Sequence, residues 1–217
     1  MCRDDKRIHA VADGVGGLPY GSLASLLATQ YFDALIPDTN SCVSEHNLRE
    51  ICHLIHQNIL KCGAIVGGQN GIGTTFSGVR FLSSSLLYAH VGDSSILHYT
   101  ADTGEVLAIS KSHTLAAELI AKHGEDAARD MPDHYSHTLT RCMGQDIDFE
   151  VDAGEIKYLP GDKFILCTDG LTNMVELEQI RDFCSRLNPQ GVVHELVDLA
   201  NQNGGLDNTT VVCIQPD

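Results

Sequence analysis

Four aspartates stand where apolar runs meet glycine. Ile8–Ala12 leads into Asp13-Gly14-Val15-Gly16-Gly17, and Leu86–Val91 into Gly92-Asp93-Ser94. Phe164–Cys167 leads into Thr168-Asp169-Gly170, and Gly204-Gly205-Leu206-Asp207-Asn208 precedes the last apolar run. A single Asp-Gly after a strand is an ordinary turn. Four acidic sites at strand ends in one domain carry more weight, because strand ends of a common sheet can converge. Converging carboxylates repel strongly at low dielectric, and a divalent cation resolves that repulsion. All-oxygen donors suit Mg2+ or Mn2+ rather than Zn2+. The neighbouring glycines let an ion, its waters and a phosphate approach the backbone. Two such ions close together lower the pKa of a bridging water and clamp a phosphoryl group for in-line attack.

Other chemistries find little support. No Gly-x-Ser-x-Gly elbow and no cysteine-nucleophile signature occurs, which disfavours covalent catalysis. The eight cysteines form no Cys-x-x-Cys pair, so a zinc ribbon or redox dithiol is not expected. Cys52, Cys167, Cys184 and Cys213 sit in apolar runs and read as buried thiols. Gly67, Gly68, Gly71 and Gly73 lack the Lys-Ser/Thr of a phosphate-cradling loop and read as a turn. His53 and His56 stand one helical turn apart, but two ligands make no zinc site, and an exposed helix face is expected. His113 and His123 flank a helix as a cap neighbour and a helix-end cation. His134 and His137 lie in an irregular stretch, where one reading is a contact to substrate or phosphate.

The elements that must position these residues follow from periodicity. Strands are expected at 8–12, 74–82, 85–91, 95–99, 149–159, 163–167 and 209–214, bounded mostly by Gly, Asp or Ser. Helices are expected at 20–35, 44–62, 114–123, 177–187 and 189–202. Leu48, Ile51, Cys52, Ile55 and Ile59 mark one buried face, Ser44 caps that helix, and Pro189 fits a first turn. Strands and helices come in runs rather than strict alternation, which favours segregated α and β layers. Residues 124–148 lack periodicity and read as a surface insertion beside a site. The 217 residues suffice for one domain, 1–217, with a sizeable core. A net charge of −15 argues against nucleic acid or an anionic membrane as partner. No apolar run is long enough to span a bilayer, and no secretory signal is visible. A cytoplasmic setting is therefore expected.

In order and spacing these segments resemble the metal-dependent serine/threonine protein phosphatases of type 2C, in their bacterial form. The matching pieces are Ala12-Asp13-Gly14-Val15-Gly16-Gly17 with Gly21, Ala24 and Ser25, then Gly73-Thr74-Thr75 and Val91-Gly92-Asp93-Ser94. Thr138-Leu139-Thr140-Arg141-Cys142-Met143-Gly144, Pro160-Gly161-Asp162, Cys167-Thr168-Asp169-Gly170-Leu171 and Asp207-Asn208-Thr209-Thr210 complete the set. The resemblance implies an α+β fold, an αββα four-layer sandwich of two antiparallel sheets flanked by helices. It implies that Asp13 bridges two metals, that the Gly14 carbonyl ligates one and that Asp169 and Asp207 hold the other. Asp93, with Asp169, would hold a third and weaker ion. Residues 124–148 would include a flap bordering the cleft.

The chain also departs from the family pattern. The expected Arg-x-x-Asn-(Glu/Gln)-Asp strand is absent from the twelve residues before Asp13, where Arg3, Asp4 and Asp5 read as the polar turn of a hairpin. Gly-Asp-Ser-Arg reads Gly92-Asp93-Ser94-Ser95, and Asp-His-Ser/Thr reads Ser112-His113-Thr114. Losing a guanidinium that grips phosphate bidentately weakens substrate binding. Losing that strand leaves a sheet edge. The pattern is that of a truncated chain or of a degenerate homologue.

The expected function is hydrolysis of phosphoserine and phosphothreonine in proteins by a metal-bridging hydroxide, with Asp13, Asp169 and Asp207 as catalytic residues. Mg2+ or Mn2+ is the cofactor, two ions with room for a third. The alternative is a phosphatase-like regulatory or binding module with impaired catalysis. The expected partners are phosphorylated proteins in a Ser/Thr kinase pathway, with no nucleic acid and no membrane, and the chain is expected to be a monomer.

Overall fold

A computed structural model describes residues 1–37, 43–147 and 149–216. In chain order the elements are β1 (Cys2–Arg3), β2 (Ile8–Val11), α1 (Gly21–Leu35), α2 (Glu45–Val66), β3 (Phe76–Phe81), β4 (Ser85–Val91), β5 (Ser95–Thr100) and β6 (Glu105–Ala108). There follow α3 (Leu115–His123), β7 (Asp152–Lys157), β8 (Lys163–Cys167), α4 (Asp169–Thr172), α5 (Leu177–Arg186), α6 (Pro189–Gln202) and β9 (Val211–Ile214). Two antiparallel sheets result, in the orders β1-β2-β3-β4-β7 and β6-β5-β8-β9.

The helices form where the sequence offers a cap and an apolar stripe. Ser44 and Asn47 make a reciprocal capping box at the start of α2. Leu48, Cys52, Ile55 and Ile59 of that helix are buried against the five-stranded sheet together with Ala24, Ala28 and Phe32 of α1. Asn188 accepts from the Gly191 amide at 2.8 Å, and Pro189 occupies the first turn of α6. Val192, Leu196 and Ala200 of α6 pack with Ile180 and Cys184 of α5 on the four-stranded sheet.

Between the sheets lies a third core of Val11, Val79, Phe81, Leu86, Ile96, Tyr158, Phe164 and Leu166. Phe81 and Phe164 meet there edge to face, with centroids 5.4 Å apart. The layering is therefore αββα, the expected architecture, and the two sheets face each other through aromatic and β-branched side chains.

Three elements were not expected from periodicity. The two-residue β1 pairs Cys2 with His9 and Arg3 with Ile8, and is too short to carry a pattern. Strand β6 is mostly exposed, so burial imposes no alternation on it. Helix α4 is a single turn. The expected strand 149–159 contracts to β7 because Phe149 leaves the ladder and stacks on His56, with centroids 4.0 Å apart. The Asp4–Lys6 turn joins β1 to β2 as a tight hairpin, in line with the polar-turn reading of Arg3 to Asp5. The stretch from 124 holds two 3-10 turns, Glu125–Asp130 and Asp133–His137, and no strand among its described residues.

Candidate metal centre

Asp13 follows β2, and its backbone is fixed by the next strand. Its amide donates to Thr75 Oγ1 at 2.9 Å. Its carbonyl accepts from the Thr75 amide and from Thr74 Oγ1, both at 2.8 Å. Beside it the start of α1 presses on Gly14, where a Cβ would lie 2.4 Å from the carbonyl carbon of Gly21. Glycine is required there by close backbone approach.

Asp93 lies in the turn from β4 to β5, where the chain passes from one sheet to the other. Gly92 makes the turn with φ +109°, and a Cβ on it would meet Thr75 at 2.7 Å. A buried network holds this turn. The Gly92 amide donates to His113 Nδ1 at 3.0 Å, and the His113 amide donates back to the Gly92 carbonyl at 2.8 Å. Since Nδ1 accepts, His113 Nε2 carries the proton and faces Asp152 at 3.2 Å, which Arg141 also contacts at 3.2 Å. Thr75 Oγ1 bonds Ser94 Oγ at 2.8 Å and so ties the Asp13 and Asp93 supports together.

Asp169 opens α4 at the end of β8, and Asp207 precedes β9. Two hydroxyls clamp these segments. Thr168 Oγ1 donates to the Asn208 carbonyl at 3.1 Å and accepts from the Thr210 amide at 3.0 Å. Thr209 Oγ1 donates to the Gly170 carbonyl at 3.1 Å. Gly170 packs so tightly that a Cβ would stand 2.5 Å from the Asn208 carbonyl oxygen.

All five expected site residues line one cavity of about 520 Å³, with Thr75, Asn208 and, from the irregular stretch after α3, His137 and Leu139. Neither Lys nor Arg is among the described residues lining it. Burial pushes the Asp13 carboxyl up to about 6, reinforced by Asp169, Asp207 and Asp93. Burial also raises Asp93 to about 6, reinforced chiefly by Asp169 and opposed by His137. Asp169 is raised by burial and then by Asp207, with the Asn173 amide, 3.2 Å from its Oδ2, pulling the other way. Half-buried carboxylates that resist ionisation for want of a counter-charge are what a cation-binding set shows when no cation balances it. Among the described residues no three His, Cys, Asp or Glu side chains close around a single point on their own.

The remaining expectations divide. Burial raises Cys142, against Asp93, to about 11 and Cys167 to about 12, so neither offers a thiolate near neutral pH. Cys52, Cys167 and Cys184 are buried as expected, whereas Cys213 is only partly so. His53 is exposed, but His56 is buried and accepts from the Gly144 amide at 3.2 Å. The helix-face reading therefore holds for one histidine and fails for the other, because Phe149 covers the second. His113 does precede the cap residue Thr114. Its part in holding the Gly92–Asp93 turn has no local signal, since Asp152 lies 39 positions on. Arg3 contacts Asp5 and Asp33 rather than the cavity.

The match to the protein phosphatase 2C model runs over residues 2–201. The chain belongs to the protein phosphatase 2C family. It is a metal-dependent serine/threonine protein phosphatase. It is 30% identical to the serine/threonine phosphatase Stp of Listeria monocytogenes, over 99% of this chain and 86% of the relative. The solved Mycobacterium tuberculosis phosphatase PstP/Ppp is 27% identical and superposes with a TM-score of 0.86, covering 97% of this chain and 88% of that one. A PstP catalytic domain in complex with two manganese ions is 26% identical, with a TM-score of 0.82 over 95% of this chain and 86% of that one. The sheet pair and its flanking helices are thus those of a type 2C phosphatase.

Proposed function

We propose that residues 1–217 form one phosphatase domain that hydrolyses phosphoserine and phosphothreonine in proteins, and that its cations are held by Asp13, Gly14, Asp93, Asp169 and Asp207. The observation that carries this reading is the shared cavity, where Asp13, Asp93, Asp169 and Asp207 converge and burial together with neighbouring carboxylates raises the proton affinity of the first three. By resemblance, Asp13, the Gly14 carbonyl, Asp169 and Asp207 would hold two ions, and Asp93 with Asp169 would hold a third. Two divalent cations held there supply an activated water and polarise the phosphoryl oxygens, and the donor set accepts Mg2+ or Mn2+ alike.

The chain's own contribution is placement. Thr74 and Thr75 fix the Asp13 backbone, His113 fixes the turn before Asp93, and the Thr168–Asn208 and Thr209–Gly170 bonds fix Asp169 relative to Asp207. With neither Lys nor Arg on the described lining, bound cations would meet the charge of a phosphate, and His137 offers a ring nitrogen on the same lining. The role against Ser/Thr kinases, the cytoplasmic setting and the monomeric state rest on the resemblance. No helix among the described residues is long and apolar enough to cross a membrane.

Hydrolysis of p-nitrophenyl phosphate in Mn2+ tests the site. Asp169→Asn lowers kcat/KM by more than about a hundredfold, since loss of a ligand outweighs loss of a supporting group. Wild-type rates in that variant, or no turnover by the unaltered chain with either Mn2+ or Mg2+, would refute the assignment.

A further inference from the structure

A second cavity of about 420 Å³ adjoins the metal centre and shares His137, Asp169 and Asp207 with it. Its remaining lining is Ser136, Gly170, Asn173, Met174 and Leu206. Leu206 is 82% exposed. A lone exposed leucine is ordinary, but this one lines the same hollow as the half-buried Met174. The loop that presents it is built, with Gly204 and Gly205 at φ +130° and +54°. Asn203 Nδ2 donates to the Met174 carbonyl at 2.7 Å, which ties the end of α6 to the segment carrying Met174.

We propose that this cavity is a substrate subsite that takes an uncharged aliphatic side chain next to the phosphorylated residue. The inference rests on the phosphatase reading and adds a sequence preference to it. Consecutive Cα atoms lie about 3.8 Å apart. A phosphoresidue in the metal cavity therefore brings its neighbour to the shared wall. Asp169 and Asp207 are committed to cations on that reading, which leaves no carboxylate to pair with a basic side chain. What faces the occupant is the apolar surface of Met174 and Leu206, with Ser136, Asn173 and the His137 ring as polar groups around it. The apolar patch of Met174 and Leu206 is set among polar groups, and a few hundred Å³ is room for one side chain held by such a patch.

The test uses phosphothreonine peptides that differ only in the residue before or after the phosphothreonine, placing Leu, Ser, Lys or Glu there. For one of the two positions the expected kcat/KM for Leu exceeds that for Ser about tenfold, with the difference in KM, the range one apolar contact spans. Leu206→Ser and, separately, Met174→Ser bring the Leu/Ser ratio close to one. The ratio is taken within each variant, so a general loss of activity does not mimic the effect. A flat wild-type profile, a preference for Lys or Glu, or a Leu preference that survives both substitutions overturns the subsite. Failure of the phosphatase reading is a separate result, because it shows as no hydrolysis of p-nitrophenyl phosphate by the wild type in Mn2+.

Discussion

Asp13 reaches the cavity from the five-stranded sheet with its backbone held at three points by Thr74 and Thr75. Asp207 arrives from the four-stranded side on an exposed loop that has just turned through Gly204 and Gly205. The first wall is set by ladder-like bonds next to a core strand. The second is set by one close contact, Gly170 against Asn208, and by two threonine hydroxyls. A site that must hold ions yet admit a protein chain combines a stiff side, which fixes the ligand geometry, with a side whose loops can be tuned for substrate.

Substitutions on the two walls separate these roles. The largest effect is expected from Gly170→Ala on the second wall. The added methyl would lie 2.5 Å from a backbone oxygen that cannot swing aside, so the Asp207 segment is displaced. Activity falls about a hundredfold and the apparent Mn2+ affinity falls with it, which a Mn2+ titration of activity measures. Thr75→Val on the first wall keeps the side-chain shape but leaves the Asp13 amide without its acceptor. Orphaning a buried donor costs about 1–3 kcal/mol. An unfolding titration reads that loss, and about a tenfold fall in Mn2+ affinity accompanies it. If Thr75→Val proves more damaging to metal binding than Gly170→Ala, the close contact of Gly170 with Asn208 is not what sets the second wall.

The smallest effect is on stability without metal. Asp13 and Asp93 titrate near 6 in the folded chain and near their ordinary acidic value when unfolded. Between about pH 4 and pH 6 the folded state therefore binds more protons, and stability declines as pH rises through that window. Thermal melts in chelator from about pH 4 to pH 7 show this slope. Asp13→Asn flattens it and raises the melting temperature near neutral pH by about 2–4 °C. Mn2+ affinity runs the other way and weakens as pH falls below about 6, because protons compete for the same oxygens.

The aspartates that share the cavity were legible because their residue type breaks the pattern around them, as charged groups near glycine at the ends of apolar strands. The layers were legible because runs of strands and helices favour segregated layers over a doubly wound sheet. The supports were not. His113, Arg141 and Asp152 are distant in sequence, and only the pairing of β4 with β7 and the return of the chain past Gly92 bring them together. His56 looked like half of an exposed pair because the stacking of Phe149 on it is a tertiary event. Arg3 is engaged with Asp5 and Asp33, and the described lining of the cavity carries no guanidinium.

The passage from β4 to β5 at Gly92–Asp93 joins the two halves of the sandwich, and the proposed ligands are divided between those halves. Any sliding of one sheet over the other changes the spacing of the oxygens. Occupancy by a doubly charged ion then works as a rivet through the seam, adding its binding free energy to the adhesion of the two sheets.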